Sequence, residues 1–223
     1  MFVTIADFVT PEELKRLREL VGMGRWEDGE KTAGKFAKEV KENEQMTQGP
    51  WVEEMRRVVH KACERNSVFQ AAALPLRFTQ PRFNRYAKGM SYGEHMDNAV
   101  FRIPNNTVRT DVSCTIFLSD PESYEGGVLS VSEVSGTRDA KLPAGHAIVY
   151  PSTTLHQVTE VTKGERVGII FWVQSLVRDA AKREILFDLD RARRAMFEEQ
   201  GRSDAFDLIA KSYVNLTRLW GET

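Results

Sequence analysis

This sequence has few cysteines, almost no net charge and no long hydrophobic run. Its 2 cysteines, Cys63 and Cys114, lie far apart in a chain of 223 residues, which is long enough to bury a core without disulfide bonds. Lys and Arg total 31 against 32 Asp and Glu, so no strong field of one sign can hold a nucleic-acid backbone or an anionic membrane. We therefore expect free thiols and neither a nucleic-acid nor a membrane partner.

Targeting and membrane-spanning patterns are not evident either. The N-terminal residues lack a basic segment followed by a continuous apolar run, and no stretch approaches the roughly 20 apolar residues of a membrane span. These features predict a cytoplasmic protein in a reducing compartment. The Gly-x-Ser-x-Gly motif of many serine hydrolases is also missing, which leaves that class little support.

The residue pattern divides the chain into three segments. Residues 1–75 are predicted to form a mainly helical segment that packs on the core, with a capping box from Thr10 to Glu13 at its first helix. Residues 76–177 contain short stretches rich in β-branched and aromatic residues, separated by turn residues, which indicate a β core. Residues 178–223 are charged, lack proline and have helical apolar spacing. This order predicts an α+β fold in which an antiparallel sandwich or jelly roll is flanked by helices.

Individual elements can also be predicted from these periodicities. Strands are expected within residues 77–86, 111–118, 128–134, 147–150 and 165–173. Helices are expected near residues 50–65, 179–199 and 203–220. Because the strands follow one another without alternating helices, a parallel α/β sheet is not favoured.

Two of the 4 histidines, His95 and His156, have polar neighbours in the β segment. His95 and Asp97 are separated by one residue, so their side chains would face the same side of a strand. A jelly roll could bring His156 beside them from a later strand. Two imidazoles and a carboxylate can occupy one face of an octahedron and leave positions open, as in non-haem Fe(II) oxygenases. We therefore predict that this triad binds metal and is catalytic, whereas His60 and His146 are structural.

Arg166 begins a strongly predicted strand and is a candidate for binding a co-substrate. An arginine in this position is often a solvated edge residue, but beside a metal its planar fork suits the distal carboxylate of 2-oxoglutarate. On the same strand face, Gly168 would leave volume for that molecule and Trp172 could form a wall or simply pack in the core. If His156 and Arg166 lay on directly paired strands, a two-residue hairpin would put them on opposite faces.

Tyr86 is a further candidate for 2-oxoglutarate. It precedes the His95 strand, and its hydroxyl could hydrogen-bond the co-substrate or merely find a partner at the edge of the core. The turn Glu125-Gly126-Gly127 is predicted to be structural, because no strand-to-helix glycine pattern of a phosphate-binding loop follows it.

Several short strings carry a more specific pattern than the three ligands. They are FNRY (83–86), GEHMDNA (93–99), RTD (109–111), FLSDPE (117–122), YEGG (124–127), YPS (150–152), LHQVT (155–159), GER (164–166) and QSLVRD (174–179). In these strings the sequence resembles the PKHD-type hydroxylases, and the resemblance runs over nearly the whole chain. That family belongs to the prolyl-4-hydroxylase-like branch of the Fe(II)/2-oxoglutarate dioxygenases.

The resemblance implies a double-stranded β-helix with additional helices at its C-terminal end. It implies iron at the triad, 2-oxoglutarate at Arg166, O2 as a second co-substrate and L-ascorbate as a reductant. The reaction implied is hydroxylation of a substrate with decarboxylation of 2-oxoglutarate to succinate and CO2. The sequence departs from the resemblance at Ile116, where some eukaryotic prolyl hydroxylases have a tyrosine that binds the co-substrate.

Other functions remain open at the level of sequence. A cupin-like barrel could use the same ligands for Zn or Mn in an isomerase or hydrolase, and a sensor could bind iron or 2-oxoglutarate without turnover. The substrate, a small molecule or peptide, is not identified, and its specificity is expected to come from loops such as residues 96–108. The amphipathic C-terminal helices offer a surface for a homodimer.

Overall fold

The computed structural model describes residues 1–32, 34, 37–103 and 106–222. The helices in these residues are α1 (Pro11–Met23), α2 (Pro50–Arg65), α3 (Ser67–Ala73), α4 (Ala180–Gln200) and α5 (Asp204–Trp220). The strands are β1 (Val3–Ile5), β2 (Trp26–Asp28), β3 (Lys41–Glu42), β4 (Glu44–Met46), β5 (Pro75–Phe78), β6 (Arg82–Tyr86), β7 (Ser91–His95), β8 (Val100–Ile103), β9 (Asn106–Arg109), β10 (Val112–Phe117), β11 (Glu125–Gly126), β12 (Leu129–Glu133), β13 (Gly136–Ala140), β14 (Ala147–Pro151), β15 (His156–Val158), β16 (Val161–Lys163) and β17 (Arg166–Ser175).

Most of these strands belong to two antiparallel sheets. The larger sheet has the order β1-β14-β10-β17-β6-β4-β2, and β5 also pairs with β17. The smaller sheet has the order β13-β12-β15-β7-β3. Apolar side chains of both sheets pack together between them, among them Phe117 and Ile148 from the larger sheet and Leu129 and Val131 from the smaller. This arrangement is the predicted double-stranded β-helix.

The central strands of the larger sheet alternate between two different environments. In β10, Val112, Cys114 and Ile116 belong to the core under the helices. Ser113 and Thr115, which lie between them, line a cavity inside the barrel. Successive side chains of a strand point to opposite faces, so one strand serves both regions. Every residue of β10 is buried, because both faces of this sheet are covered.

Helices α1, α2 and α3 cover the outer face of the larger sheet. Their fully buried residues Leu17, Met55 and Phe69 belong to the same core cluster as the sheet residues. Complete burial of such a side chain stabilises the fold by about 1.5–3 kcal/mol. The predicted capping box of α1 is present: the backbone N–H of Glu13 donates to the Thr10 hydroxyl, and that of Thr10 donates to the Glu13 carboxylate.

A buried arginine ties the C-terminal helices to the barrel. Asp179 caps α4 by accepting from the backbone N–H groups of residues 181 and 182. Arg183, which is 3% exposed, donates to the carbonyl oxygens of Val177 and Asp111. Helix α5 packs against α4, and its Leu208 and other apolar residues remain largely exposed. The helices predicted at both ends of the chain are therefore confirmed.

The first 75 residues contribute strands as well as helices. Strands β1, β2 and β4 extend the larger sheet and β3 extends the smaller one, whereas the sequence pattern predicted a mainly helical segment. These strands have only 2 or 3 residues each, too few to give a periodic signal. The segment boundaries at 75/76 and 177/178 stay a prediction. In the described part of the chain, no helix has the length and apolar character needed to cross a bilayer.

Candidate metal centre

His95 and His156 lie directly opposite each other on neighbouring strands. His95 ends β7 and His156 begins β15, and the two residues are cross-strand partners in the smaller sheet. Cross-strand partners on antiparallel strands project from the same face, and the two imidazole rings lie 4.3 Å apart between centroids. Both residues are buried, with exposed fractions of 8% and 5%. The sheet register therefore brings together two ligands that are distant in the sequence.

Backbone carbonyls orient both imidazole rings. Nδ1 of His95 lies 2.7 Å from the carbonyl oxygen of Gly93, and Nδ1 of His156 lies 3.1 Å from that of Thr154. A carbonyl can only accept, so Nδ1 of each ring carries the proton and donates it. The available lone pair of each neutral ring is then on Nε2. This tautomer of histidine can bind a metal through Nε2.

Asp97 completes the triad. Its Oδ2 lies 3.7 Å from Nε2 of His156, and one potential ligand atom from each of the three residues lies within 4.8 Å of the others. In the described part of the chain this is the only group of three or more such side chains. The donor set of two imidazoles and one carboxylate fits Fe(II).

Ser113 holds the Asp97 carboxylate and is itself hydrogen-bonded to Ser152. The hydroxyl of Ser113 donates to Oδ2 of Asp97 at 2.6 Å, and the Ser113 and Ser152 hydroxyls lie 2.8 Å apart. Both serines are almost completely buried. Hydrogen bonds of this kind fix the orientation of a metal-binding carboxylate. Sequence reasoning missed this role, although Ser113 and Thr115 alternate with apolar residues in β10, which is a signal that one face of the strand borders a polar site.

The electrostatics of the site favour a neutral His95. Burial lowers the pKa of His95 well below its ordinary value, and the neighbouring His156 lowers it further. Protons therefore compete weakly for the ring at neutral pH, where a metal needs the neutral imidazole. Tyr92 stacks on His95 with ring centroids 3.5 Å apart, which restricts the ring further.

The triad lines a cavity that is partly open to solvent and also contains Arg166. Arg166 is 2% exposed, and its Nε has no hydrogen-bond partner among the described residues. The guanidinium lies over the rings of Tyr86 and Phe117, at 5.1 and 5.5 Å, and no carboxylate in the described part of the chain forms an ion pair with it. A buried cation without an anion is costly. The distal carboxylate of 2-oxoglutarate would supply the missing partner.

Gly127 makes room for the Arg166 side chain. A Cβ on Gly127 would lie 3.1 Å from Cδ of Arg166 and 3.0 Å from the Tyr124 ring. Gly168, by contrast, makes room for the neighbouring strand, because a Cβ there would lie 3.2 Å from the Ile116 carbonyl oxygen and at an ordinary 3.8 Å from Nη1 of Arg166. Gly127 also has a φ of +60°, which most side chains avoid. The turn that contains Gly127 therefore also shapes the Arg166 site.

Tyr86, the other residue predicted to contact 2-oxoglutarate, lies beside Arg166. The two residues are cross-strand partners on β6 and β17, and both line the cavity. Tyr86 is 2% exposed. Burial raises the pKa of its phenol, and the Arg166 charge partly offsets that effect. The phenol therefore keeps its proton at neutral pH.

The fold answers two geometric questions that the sequence left open. Ile116 faces the core under the helices, so it does not correspond to a side chain that contacts a co-substrate; its neighbour Thr115 lines the cavity. His156 and Arg166 are not on paired strands either, because β15 pairs with β7 and β12 whereas β17 pairs with β10, β6 and β5. They face each other across the barrel, so the parity of their connecting loop does not matter.

The remaining predicted positions lie at the cavity wall or in other parts of the fold. Trp172, for which the sequence left open a wall of the cavity or packing in the core, is 5% exposed and lines the cavity. His60 lies against Phe78, with ring centroids 6.1 Å apart, and His146 precedes β14. Residues 104 and 105 of the loop 96–108 lie outside the described residues. Two further cavity residues, Lys41 and Arg82, were not predicted at all.

The chain is similar over its full length to hydroxylases of one family. The model of the 2OG-Fe(II) oxygenase superfamily matches residues 81–174. A PKHD-type hydroxylase of Picosynechococcus sp. is 45% identical over 223 residues, which is 100% of both chains. A PKHD-type hydroxylase of Thermosynechococcus vestitus is 47% identical over 223 residues, again 100% of both. The chain belongs to the PKHD-type hydroxylases. It is accordingly an oxidoreductase and a dioxygenase, with Fe(II), 2-oxoglutarate and O2 as cofactor and co-substrates.

Solved structures share the fold of this PKHD-type hydroxylase at low sequence identity. The viral collagen prolyl hydroxylase of Paramecium Bursaria Chlorella virus-1, in a 2OG complex, has a TM-score of 0.55 and 17% identity, covering 78% of this chain and 96% of that one. A prolyl-4-hydroxylase of Pseudomonas putida has a TM-score of 0.52 and 18% identity, covering 78% and 92%. At these identities the likeness concerns the fold alone.

Proposed function

We propose that this enzyme hydroxylates a substrate C–H bond, with Fe(II) bound by His95, Asp97 and His156 and with 2-oxoglutarate held by Arg166. One oxygen atom of O2 enters the substrate and the other enters succinate, while CO2 leaves. Bound iron supplies the activation of O2 and the oxidation that couples these two events. The protein supplies binding and orientation.

The observation that carries the proposal is the buried Arg166 in the same cavity as the triad. The triad by itself fits several metals and reactions. A buried guanidinium that forms no ion pair within the described residues adds a requirement for an anion, and its planar fork matches a carboxylate. Family membership supplies the identity of that anion, 2-oxoglutarate.

The surrounding residues have distinct tasks in this proposal. The backbone carbonyls at 93 and 154 keep Nε2 of both histidines deprotonated toward the metal. Ser113 holds the carboxylate of Asp97, and the neutral phenol of Tyr86 packs beside the guanidinium of Arg166. The apolar parts of the cavity wall exclude water from the reacting groups, which limits wasteful oxidation.

Two alternatives make different demands on Arg166. A Zn or Mn isomerase or hydrolase would need the triad but not a second anion site in the barrel, and a non-catalytic sensor would bind 2-oxoglutarate without forming succinate.

A requirement for L-ascorbate and a homodimeric state stay predictions.

Succinate release from 2-oxoglutarate tests the proposal. Purified enzyme with Fe(II) should form succinate, and His95→Ala should abolish this activity. Arg166→Gln should raise the 2-oxoglutarate concentration needed for half-maximal rate, whereas Arg178→Gln, on an exposed side chain, should not. Turnover with Zn in the absence of 2-oxoglutarate would contradict the proposal.

A further inference from the structure

We propose that Ser152 positions the metal-binding carboxylate of Asp97 through Ser113, and that Arg183 of α4 holds Ser152 in place. This inference rests on the proposed function, because it concerns the support of the same metal centre. It gives the C-terminal helices a part in the reaction, although no described residue after Trp172 lines the cavity. Ser152 and Arg183 are positioning residues, because they act on the metal only through other residues.

The two serine hydroxyls beside Asp97 form hydrogen bonds in a definite direction. A serine hydroxyl has one proton to donate. Ser113 donates its proton to Oδ2 of Asp97 at 2.6 Å, because an ionised, metal-binding carboxylate can only accept. The second hydrogen bond, which is 2.8 Å long, must then run from the hydroxyl of Ser152 to the oxygen of Ser113. A hydroxyl that accepts one hydrogen bond donates the next one more strongly, so Ser152 strengthens the hydrogen bond from Ser113 to Asp97.

The register of the larger sheet places Ser152 beside Ser113. Strands β10 and β14 are antiparallel partners, with Ser113 opposite Tyr150. Ser152 follows β14 immediately and extends this pairing, because its backbone N–H donates to the carbonyl oxygen of Asp111 at 3.2 Å. Ser152 therefore lies diagonally across from Ser113 on the same face of the sheet, where it is 4% exposed.

The carbonyl oxygen of Asp111 also connects Ser152 to α4. The guanidinium of Arg183 donates to this oxygen at 3.2 Å. It donates as well to the carbonyl oxygens of Val177 and Arg178, at 2.8 and 2.7 Å. Hydrogen bonds from a charged donor are stronger than those between neutral groups. Arg183 therefore fixes the end of the pairing between β10 and β14, which is where Ser152 lies.

The side chain of Asp111 holds the same position from another direction. Its carboxylate oxygens accept from the guanidinium of Arg109 at 2.7 and 3.0 Å, and Oδ2 also accepts from the backbone N–H of Ser175 at 2.9 Å. A bidentate arginine–carboxylate pair has a specific geometry, and Asp111 is 7% exposed. Each group between α4 and Asp97 is therefore buried and held by hydrogen bonds.

Binding of Co(II) to the enzyme tests the inference. Co(II) is the probe because its visible absorption gives the affinity and also depends on the arrangement of its ligands. We expect Ser152→Ala to weaken Co(II) binding by about threefold, which is within the range for loss of one hydrogen bond, and to change the absorption of the bound ion. Arg183→Gln should weaken binding to a similar extent, and Arg183→Lys, which keeps the charge, should weaken it less.

A variant elsewhere on α4 is the matched control. Asp190 is 2% exposed, and its ion pairs are with Arg193 and Arg194 of the same helix. Asp190→Asn should lower the thermal unfolding temperature but leave the affinity and the absorption of Co(II) unchanged. Thermal unfolding of every variant shows that it is folded under the conditions of the titration.

Double variants test the route through Ser113. Once Ser113→Ala has removed the hydroxyl that donates to Asp97, Ser152 has no group through which to act. Adding Ser152→Ala or Arg183→Gln to Ser113→Ala should therefore cause no further loss of Co(II) affinity, whereas independent effects on stability alone would add.

The outcomes separate the inference from the proposed function. If Co(II) does not bind the enzyme, or binds equally to His95→Ala, the proposed function fails. If Co(II) binds through the triad but Ser152→Ala changes neither its affinity nor its absorption, only the positioning role is overturned. Additive effects of Ser113→Ala and Ser152→Ala overturn it as well. An equal loss of affinity in Asp190→Asn and Arg183→Gln overturns the part assigned to Arg183.

Discussion

The two faces of the larger sheet differ in composition and in what they contribute. The face under α1, α2 and α3 has apolar residues such as Ile116, Ile169 and Val173. The opposite face of the same strands carries Ser113 and Arg166, which line the cavity. The first face provides burial energy, and the second provides polar groups that would be costly to bury without partners.

This difference shows that adjacent residues of one strand can serve different purposes, because one packs in the core that stabilises the fold and the next faces the metal site. The alternation of a strand places Val112 and Ser113, which are chain neighbours, in two different regions. Mutations at adjacent positions should therefore have different consequences. The predictions below test that separation, in order of decreasing expected effect on iron and co-substrate binding.

The strongest test is the loss of a triad imidazole. His95→Ala should lower the affinity for Fe(II) by more than about a hundredfold, because loss of a supporting hydrogen bond alone costs about 10- to 100-fold. Succinate release should disappear with the metal. Metal titration and succinate analysis measure the two effects. Retention of tight iron binding would show that His95 is not a ligand.

The next largest effect is expected at Arg166. Arg166→Gln should weaken 2-oxoglutarate binding by about a hundredfold, which corresponds to loss of one partner from a buried charge pair. Iron affinity should change little, because the guanidinium does not belong to the triad. Calorimetric titration with 2-oxoglutarate measures the change. An unchanged affinity would place the co-substrate elsewhere in the cavity.

A moderate effect is expected from loss of the hydrogen bond between Ser113 and Asp97. Ser113→Ala removes the hydroxyl that donates to Asp97 at 2.6 Å and should weaken iron binding by about tenfold. Val112→Ala is the matched control, because Val112 belongs to the core cluster under the helices, and it should leave iron affinity unchanged. Equal effects of the two variants on iron binding would contradict the separation of the faces.

The smallest effect on the site is expected from the face under the helices. Ile116→Val should lower the free energy of unfolding by about 0.5–1.5 kcal/mol, because it removes one buried methylene. It should leave the affinities for iron and 2-oxoglutarate unchanged. Urea denaturation measures the first quantity and calorimetry the second. A large loss of 2-oxoglutarate binding would show that the two faces are coupled through β10.

Much of the secondary structure could be predicted from local patterns. The helices near 50–65, 179–199 and 203–220 and the capping box at Thr10 are confirmed, because periodicity and capping depend on neighbours in the chain. The short strands β1 to β4 were missed, since their pairing is decided by contacts with distant strands. Lys41, on one of these strands, was missed for the same reason.

The sequence by itself determined which chemical groups are present and which neighbours share a face. Asp97 and His95 could be paired because one residue separates them, and the extended strings identified the family. Only the tertiary structure decided that His156 lies opposite His95, that Arg166 faces the triad across the barrel, and that Lys41 and Arg82 line the same cavity. Those relations depend on strand register and sheet order, which are set by contacts between residues distant in the sequence.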